Sequence, residues 1–158
     1  MIVIGIDPGA SGAIAVFDPS IGSLAIHDMP TLDVIRNGKN KTEISPRLVA
    51  DIICAAAGPD PVMAIVEKVG AMPGQGVSSM FQFGRSVGII EGVLGSLSVP
   101  MTQLSPQVWQ KLAGVRGGKD AARLRAIEIF PAYAQAFARK KDDGRADAAL
   151  IAWVGATS

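Results

Sequence analysis

At 158 residues, with 49% hydrophobic and 18% charged side chains, the chain has enough apolar material to offset its entropy of ordering, which excludes a disordered protein and leads us to expect one domain over residues 1–158. A net charge of +1 excludes polyanion binding by bulk charge alone, and a single cysteine excludes a disulfide framework or a multi-cysteine metal site. The longest apolar runs fall far short of the ~20 residues that cross a bilayer, and residues 1–7 carry no basic leader, so no membrane contact and a cytoplasmic location are expected.

Residues 2–6 are apolar and rich in β-branched side chains, which predicts a strand ending at Asp7. Pro8, Gly9 and Gly12 force a turn, residues 13–17 resume a strand, and a second turn over 18–22 leads to a third strand over 23–28. The sheet is thus expected to begin as an antiparallel meander. Residues 29–44 contain Asn37-Gly38 and several basic residues but fit no period, and are expected to form a mobile loop.

Ser45-Pro46 is a helix start, with Leu48, Ile52, Ile53 and Ala56 recurring on one face before Gly58-Pro59 ends it. Cys54 lies in an apolar run and is expected to be buried. Residues 62–66 are wholly apolar, as in a central strand, and deliver Glu67 at its end. After a glycine-rich loop over 70–76, Ser78 or Ser79 is expected to cap a helix to about Leu97. Gly84, Gly88, Gly92 and Gly95 form a small-residue stripe along it, read as close packing against the sheet or another helix. A strand over 99–104, a short helix from Ser105-Pro106 through Leu112, a helix over about 119–130 stopped by Pro131, and a last helix over about 143–154 complete the order. Trp109 and Trp153 fall on apolar helix faces and are assigned to packing.

The acids carry the chemistry. Asp7 ends the first strand, Glu67 ends the central strand, and Asp143 and Asp147 are four apart on one face of the last helix. If the two strands are neighbours, both acids emerge at the same edge, and the helix need only pack across it. Carboxylates gathered so closely require a divalent cation, and hard cations such as magnesium and manganese prefer oxygen ligands. A two-metal site of that kind activates water against a phosphodiester. Asp142, on a neighbouring helix position, is read as a rival cap facing elsewhere. His27 is the only histidine, which leaves little room for a histidine base or a histidine-rich zinc site. Charge is also uneven: from residue 101 onward nine basic residues face five acidic ones, whereas the first hundred residues carry six against nine, an asymmetry able to draw a polyanion to one face.

Gly5-Ile6-Asp7-Pro8-Gly9 with Ser11-Gly12, then Val66-Glu67, then Asp143-Gly144-Arg145-Ala146-Asp147-Ala148-Ala149-Leu150 resembles the RuvC family of Holliday junction resolvases. The segment from Ser105 to Lys111 followed by Gly117-Gly118-Lys119 is similar to that family as well. The resemblance implies an α/β, RNase H-like fold with a mixed five-stranded sheet flanked by helices, a homodimer, and a four-way DNA junction as substrate. It also implies two Mg2+ per site, with Mn2+ substituting, and cleavage leaving a 5′-phosphate and a 3′-hydroxyl. Asp7, Glu67 and Asp147 match its metal-binding acids. Asp143 matches less directly, because cellular members often place the preceding acid or histidine three positions before the final aspartate, where this chain has Gly144. Lys119 is expected near the scissile phosphate and Lys111, Arg116 and Arg123 on backbone phosphates; Met80, Phe81 and Phe83 are read first as core or dimer packing, with Phe81 as the aromatic able to stack on an unpaired base.

Other readings stand beside this one. A YqgF-like RNA-processing nuclease or a repair endonuclease shares the fold and metals, an actin-like ATP-binding domain shares the opening hairpin, and a non-catalytic DNA-binding module shares the basic residues.

Overall fold

The structure is a computed structural model that describes residues 1–36, 38–58, 60–70, 74 and 76–157. Five strands form one mixed sheet in the order β3-β2-β1-β6-β7. β1 (Ile2–Asp7), β2 (Ala13–Asp18) and β3 (Ser23–Asp28) run as the expected antiparallel meander. β6 (Val62–Glu67) lies parallel to β1, and β7 (Met101–Leu104) lies parallel to β6.

Strand parity divides the core. Val3, Ala13, Ala15 and Ile65 point to one face, where they meet Trp109 and Ala113 of α3 (Pro106–Ala113), Ala126 of α4 (Ala121–Ile129) and the apolar residues of α5 (Asp143–Thr157). Ile4, Ile6, Ile14, Ala64 and Val66 point to the other, against Val49 and Ile53 of α1 (Pro46–Ala56) and Ile90, Val93 and Leu94 of α2 (Val77–Ser96). Two 3-10 turns, Pro131–Phe137 and Lys140–Asp142, lead into α5. Buried on nearly every side through Ala146, Ala148, Ala149, Leu150, Ile151, Ala152 and Val154, α5 is an interior helix.

Helix α5 lies on the sheet at glycines. An added Cβ at Gly5 would sit 2.1 Å from the Ala148 carbonyl oxygen and 2.4 Å from the Ala152 nitrogen, so β1 and α5 touch backbone to backbone. One turn from the helix end, Gly155 opposes Ile65 and Val3, with an added Cβ 2.6 Å from Ile65 Cγ1.

Several expectations are corrected. Residues 29–44 are no mobile loop: after β3 they form a second sheet, the antiparallel hairpin of β4 (Thr31–Arg36) and β5 (Lys39–Ile44). Arg36 faces Lys39 at its tip and Gly38 takes φ +70°, the conformation a tight hairpin demands; Asn37 is outside the described residues. Glu43, nearly buried, pairs with Arg36 of the hairpin and Arg85 of α2, which docks the hairpin on the domain. Cys54 is exposed, because Val49 and Ile53 take the inward face of α1. Gly84, Gly88, Gly92 and Gly95 are exposed with no atom near an added Cβ, so the stripe faces outward and does not pack on the sheet. The helix bearing it starts at Val77 without a side-chain cap. Pro59 and, in the glycine-rich loop, Ala71, Met72, Pro73 and Gln75 fall outside the described residues.

Replacing Gly5 by Ala should destabilise the protein more than replacing Gly155 by Ala. At Gly5 the new methyl meets helix backbone, which cannot turn aside, and the cost should exceed the ~1–3 kcal/mol usual for an overpacked methyl. At Gly155 it meets side-chain ends that can rotate, and helix propensity returns up to ~1 kcal/mol. Chemical denaturation of the two variants checks the order.

Candidate carboxylate site

Parity places the acids. Asp7 and Glu67 continue the alternation of Val3, Gly5 and Ile65, and so belong to the face covered by α5; Ile6 pairs with Val66, which sets Asp7 and Glu67 level at the carboxyl ends of adjacent parallel strands. The first turns of α5 cross this edge. At Gly144 an added Cβ would meet the Ser11 carbonyl oxygen at 2.7 Å, Gly12 Cα at 2.8 Å and Asp7 Oδ2 at 3.1 Å. No side chain fits there, so position 144 cannot carry an acid in this packing, and the acid preceding Asp147 on that side of the helix is Asp143. Gly12 is required for the same tightness, since its added Cβ would be 2.2 Å from the Asp7 carbonyl oxygen.

The carboxylates sense one another. Burial above all, then the Glu67 charge, pushes Asp7 up to about 6, against a backbone N–H from Gly9 at 3.4 Å. Burial likewise pushes Asp147 up to about 8, with the charges of Asp7, Glu67 and Asp143 adding to it. Glu67 is raised by burial and drawn back by a hydrogen bond from Trp109. Four acids from β1, β6 and α5 thus share one electrostatic site.

Asp143 differs from the other three. It accepts a hydrogen bond from Arg123 Nε at 2.8 Å, and Arg123, only 13% exposed, also pairs with Asp120. Arg123 is therefore joined to the acidic site rather than standing free on the surface. Asp142 faces away from the cluster, as its position on the helix predicts, but is buried: Arg139 binds it through Nε and a second guanidinium nitrogen at 3.1 and 2.9 Å, and Arg145 approaches it. These cations hold Asp142 below the usual carboxylate range. Arg145 also grips Asp28 with two bonds of 2.5 and 2.6 Å, fastening α5 to the end of β3.

A cleft of about 330 Å³ joins Lys119 to Asp143 and Asp147, with Gln110 and Val115 on its wall. A second, of about 610 Å³, runs from the β1–β2 turn at Ser11 between β5 and α2, past Lys41, Thr42, Ser79, Gln82 and Arg85. Lys111 and Arg116 are exposed on and after α3, outside both clefts; Phe81 is 70% exposed on α2, with Met80 and Phe83 half-buried beside it. His27 is exposed on β3. Trp153 is half-buried against the core, consistent with packing. Trp109 packs too, but does more: it is fully buried and its indole Nε1–H donates to Glu67 Oε1 at 2.8 Å. Nothing in the sequence distinguished it from a core aromatic, because the contact joins residues 42 apart.

The donor set suits a hard divalent cation in its chemistry: oxygen ligands only, three of them held at raised pKa, chiefly by burial. Among the described residues no three acidic, histidine or cysteine side chains are already drawn together as a finished cage. Asp143, committed to Arg123, is the least available of the four.

The raised values have a measurable consequence for the metal-free chain. Between the ordinary carboxylate range and about pH 8 the folded protein keeps protons on Asp7 and Asp147 that the unfolded chain releases, so stability falls as pH rises through that window and levels off above it. Thermal unfolding in chelator should show Tm declining from pH 5 to pH 8, and Asp147→Asn should remove most of the decline above pH 6. An unchanged slope in that variant would contradict the environment described for Asp147.

No protein-family model matches the sequence, and no curated protein matches it. Solved structures do. The chain superposes on Thermus thermophilus RuvC in complex with a Holliday junction substrate with a TM-score of 0.62 and 14% identity, covering 99% of this chain and 92% of that one. A further Thermus thermophilus RuvC structure gives a TM-score of 0.58 and 19% identity over 99% and 93% of the respective chains. With its mixed five-stranded sheet between helical layers, the chain has the RNase H-like fold of RuvC.

Proposed function

We propose that this chain is a divalent-metal-dependent endonuclease that cleaves four-way DNA junctions by phosphodiester hydrolysis. The observation that carries the reading is the convergence of Asp7, Glu67 and Asp147 from β1, β6 and α5, at raised pKa, beside a lysine-bearing cleft. The likeness of fold to a RuvC bound to a Holliday junction favours branched DNA over other phosphodiesters.

In this reading Asp7, Glu67 and Asp147 hold the cations, two Mg2+ with Mn2+ as a substitute, and Asp143 contributes when Arg123 releases it. Bound there, the ions supply Lewis acidity and a lowered pKa for water, which is the chemistry a phosphodiester attack requires. Lys119 sits where a phosphate entering the cleft of Asp143 and Asp147 would meet a positive charge. Water displaces the 3′-oxygen, leaving a 5′-phosphate and a 3′-hydroxyl. The DNA backbone follows the larger cleft, where Lys41 and the hydroxyls of Ser11, Thr42 and Ser79 face it and Glu43 is already neutralised by two arginines. Lys111 and Arg116 extend the basic surface.

Asp7→Asn, Glu67→Gln and Asp147→Asn should each lower cleavage more than about 100-fold, beyond the loss usual for residues that only support metal ligands, while junction binding stays within a few-fold. Asp143→Asn should fall less, and Asp142→Asn should cost stability rather than turnover. Single-turnover cleavage of matched four-way junctions, flaps, duplex DNA and structured RNA across a magnesium titration is the test. Near-normal cleavage by the Asp7 or Glu67 variant would refute the reading, and preference for flaps or RNA would transfer it to another RNase H-like nuclease.

We further propose a homodimer through α2. Val77, Phe81, Gly84, Gly88, Gly92 and Gly95 recur at spacings of four and three and form one exposed seam, with Val77 87% exposed. Small residues there allow a second helix to approach closely, with Phe81 packed at the seam's beginning. Sedimentation should give a dimer that Gly88→Leu disrupts; a monomer both free and with junction DNA would remove the dimer and leave the nuclease reading intact.

A further inference from the structure

We propose that Trp109 is a positioning residue for Glu67, through its indole N–H, separately from its place in the core. The inference rests on the metal-dependent reading above and assigns a task to a residue outside the acidic set.

Indole has a single polar atom, a donor, and in Trp109 it is spent on Glu67 Oε1 at 2.8 Å. The ring is fully buried, so no water competes for that donor. Among the described residues this is the only hydrogen bond made to the Glu67 side chain. A glutamate at the end of a strand otherwise has several rotamers, and a bond to a ring that cannot move selects among them. It also engages one carboxylate oxygen, leaving the other free for a cation.

The same ring sets the opposite wall. Trp109 fixes α3 against the core formed with Ala113, Ala126 and α5. Helix α3 ends at Gly114 in the left-handed conformation at φ +71°, with Val115 N–H bonded to the Gln110 carbonyl. That turn leads directly into Gly117, Gly118 and Lys119, which line the cleft with Asp143 and Asp147. The helix anchored by this buried ring thus presents the indole N–H to Glu67 and leads through its C-terminal turn to Lys119.

The test is Mn2+ binding to the full-length chain by electron paramagnetic resonance, in a cycle of wild type, Trp109→Phe, Glu67→Ala and the double variant. Phenylalanine keeps an aromatic ring and removes the donor. Trp109→Phe should weaken Mn2+ binding about 10-fold in the wild-type background, the scale on which groups that orient metal ligands act, and less than about 2-fold when Glu67 is already alanine. Equal losses in both backgrounds would mean that the ring serves only packing, and would overturn the proposal. A second measurement needs no variant of Trp109. In protein labelled with 15N-tryptophan there are two indole resonances, and Trp153→Phe identifies them. The Trp109 indole proton should exchange slowly and shift on Glu67→Ala, while that of Trp153 stays in place; rapid exchange, or no response to Glu67→Ala, would overturn the proposal. Mn2+ binding that Trp109→Phe leaves unchanged would refute the role of Trp109 alone, whereas a wild-type chain that binds no Mn2+ would refute the metal reading and this inference together.

Discussion

The molecule is organised by the absence of side chains where α5 meets the sheet. Gly5 lets the backbone of β1 touch that of the helix, Gly144 lets the first turn of the helix pass the β1–β2 turn, and Gly155 fits its far end over Val3 and Ile65. Three contacts along one helix leave it little freedom to slide or tilt, since packed backbone does not yield as a flexible side chain does. The position of Asp147 relative to Asp7 follows from these contacts. A site built from charges that repel one another cannot be held together by those charges, and here apolar and glycine packing supplies the constraint.

Within six residues the chain places three aspartates in three electrostatic settings. Asp142 is buried among arginines and is held below the usual carboxylate range, Asp143 is half-exposed on Arg123, and Asp147 is buried among other acids and raised to about 8. Asp142 closes the 3-10 turn and points away from the cluster. Asp143 and Asp147 share a face of α5 but differ in depth, the first reaching Arg123 at the helix start and the second buried one turn further in. Asp142 and Arg145 belong to the fastening of α5, through Arg139 and Asp28, while Asp147 belongs to the site that this fastening positions.

Much of this was legible in the residues. Apolar strands ending at Asp7 and Glu67, and a helix carrying acids four apart, were enough to bring the acids to one edge, because strand and helix periods are local properties. The hairpin over 31–44 was missed although Asn37-Gly38 is a hairpin signal: its strands lack apolar alternation, and Glu43 docks it through Arg85, more than 40 residues away. Cys54 misled for a related reason, since an apolar neighbourhood does not tell which side of α1 faces the sheet. The outward glycine stripe, the hydrogen bond from Trp109 to Glu67 and the engagement of Arg123 by Asp143 all depend on packing between distant segments. Gly144, which seemed a gap in an acidic motif, likewise gains its meaning from a distance measured in space.

The Arg145–Asp28 clasp spans 117 residues of sequence, and α5 covers a sheet face whose strands β1 to β3 all precede it by more than 100 residues. At ribosomal rates of roughly 5–20 residues per second, that apolar face waits about 6–23 seconds for its cover. During that interval β1, β2 and β3 can pair and α1 and α2 can shelter the opposite face, but Val3, Ala13 and Ala15 lack α5, with only the late helices α3 and α4 reaching their side before it. Non-local closure of this kind is slow for entropic reasons as well. The nascent chain is thus vulnerable to aggregation on one side only, and it gathers its full set of acids no sooner than its last helix docks.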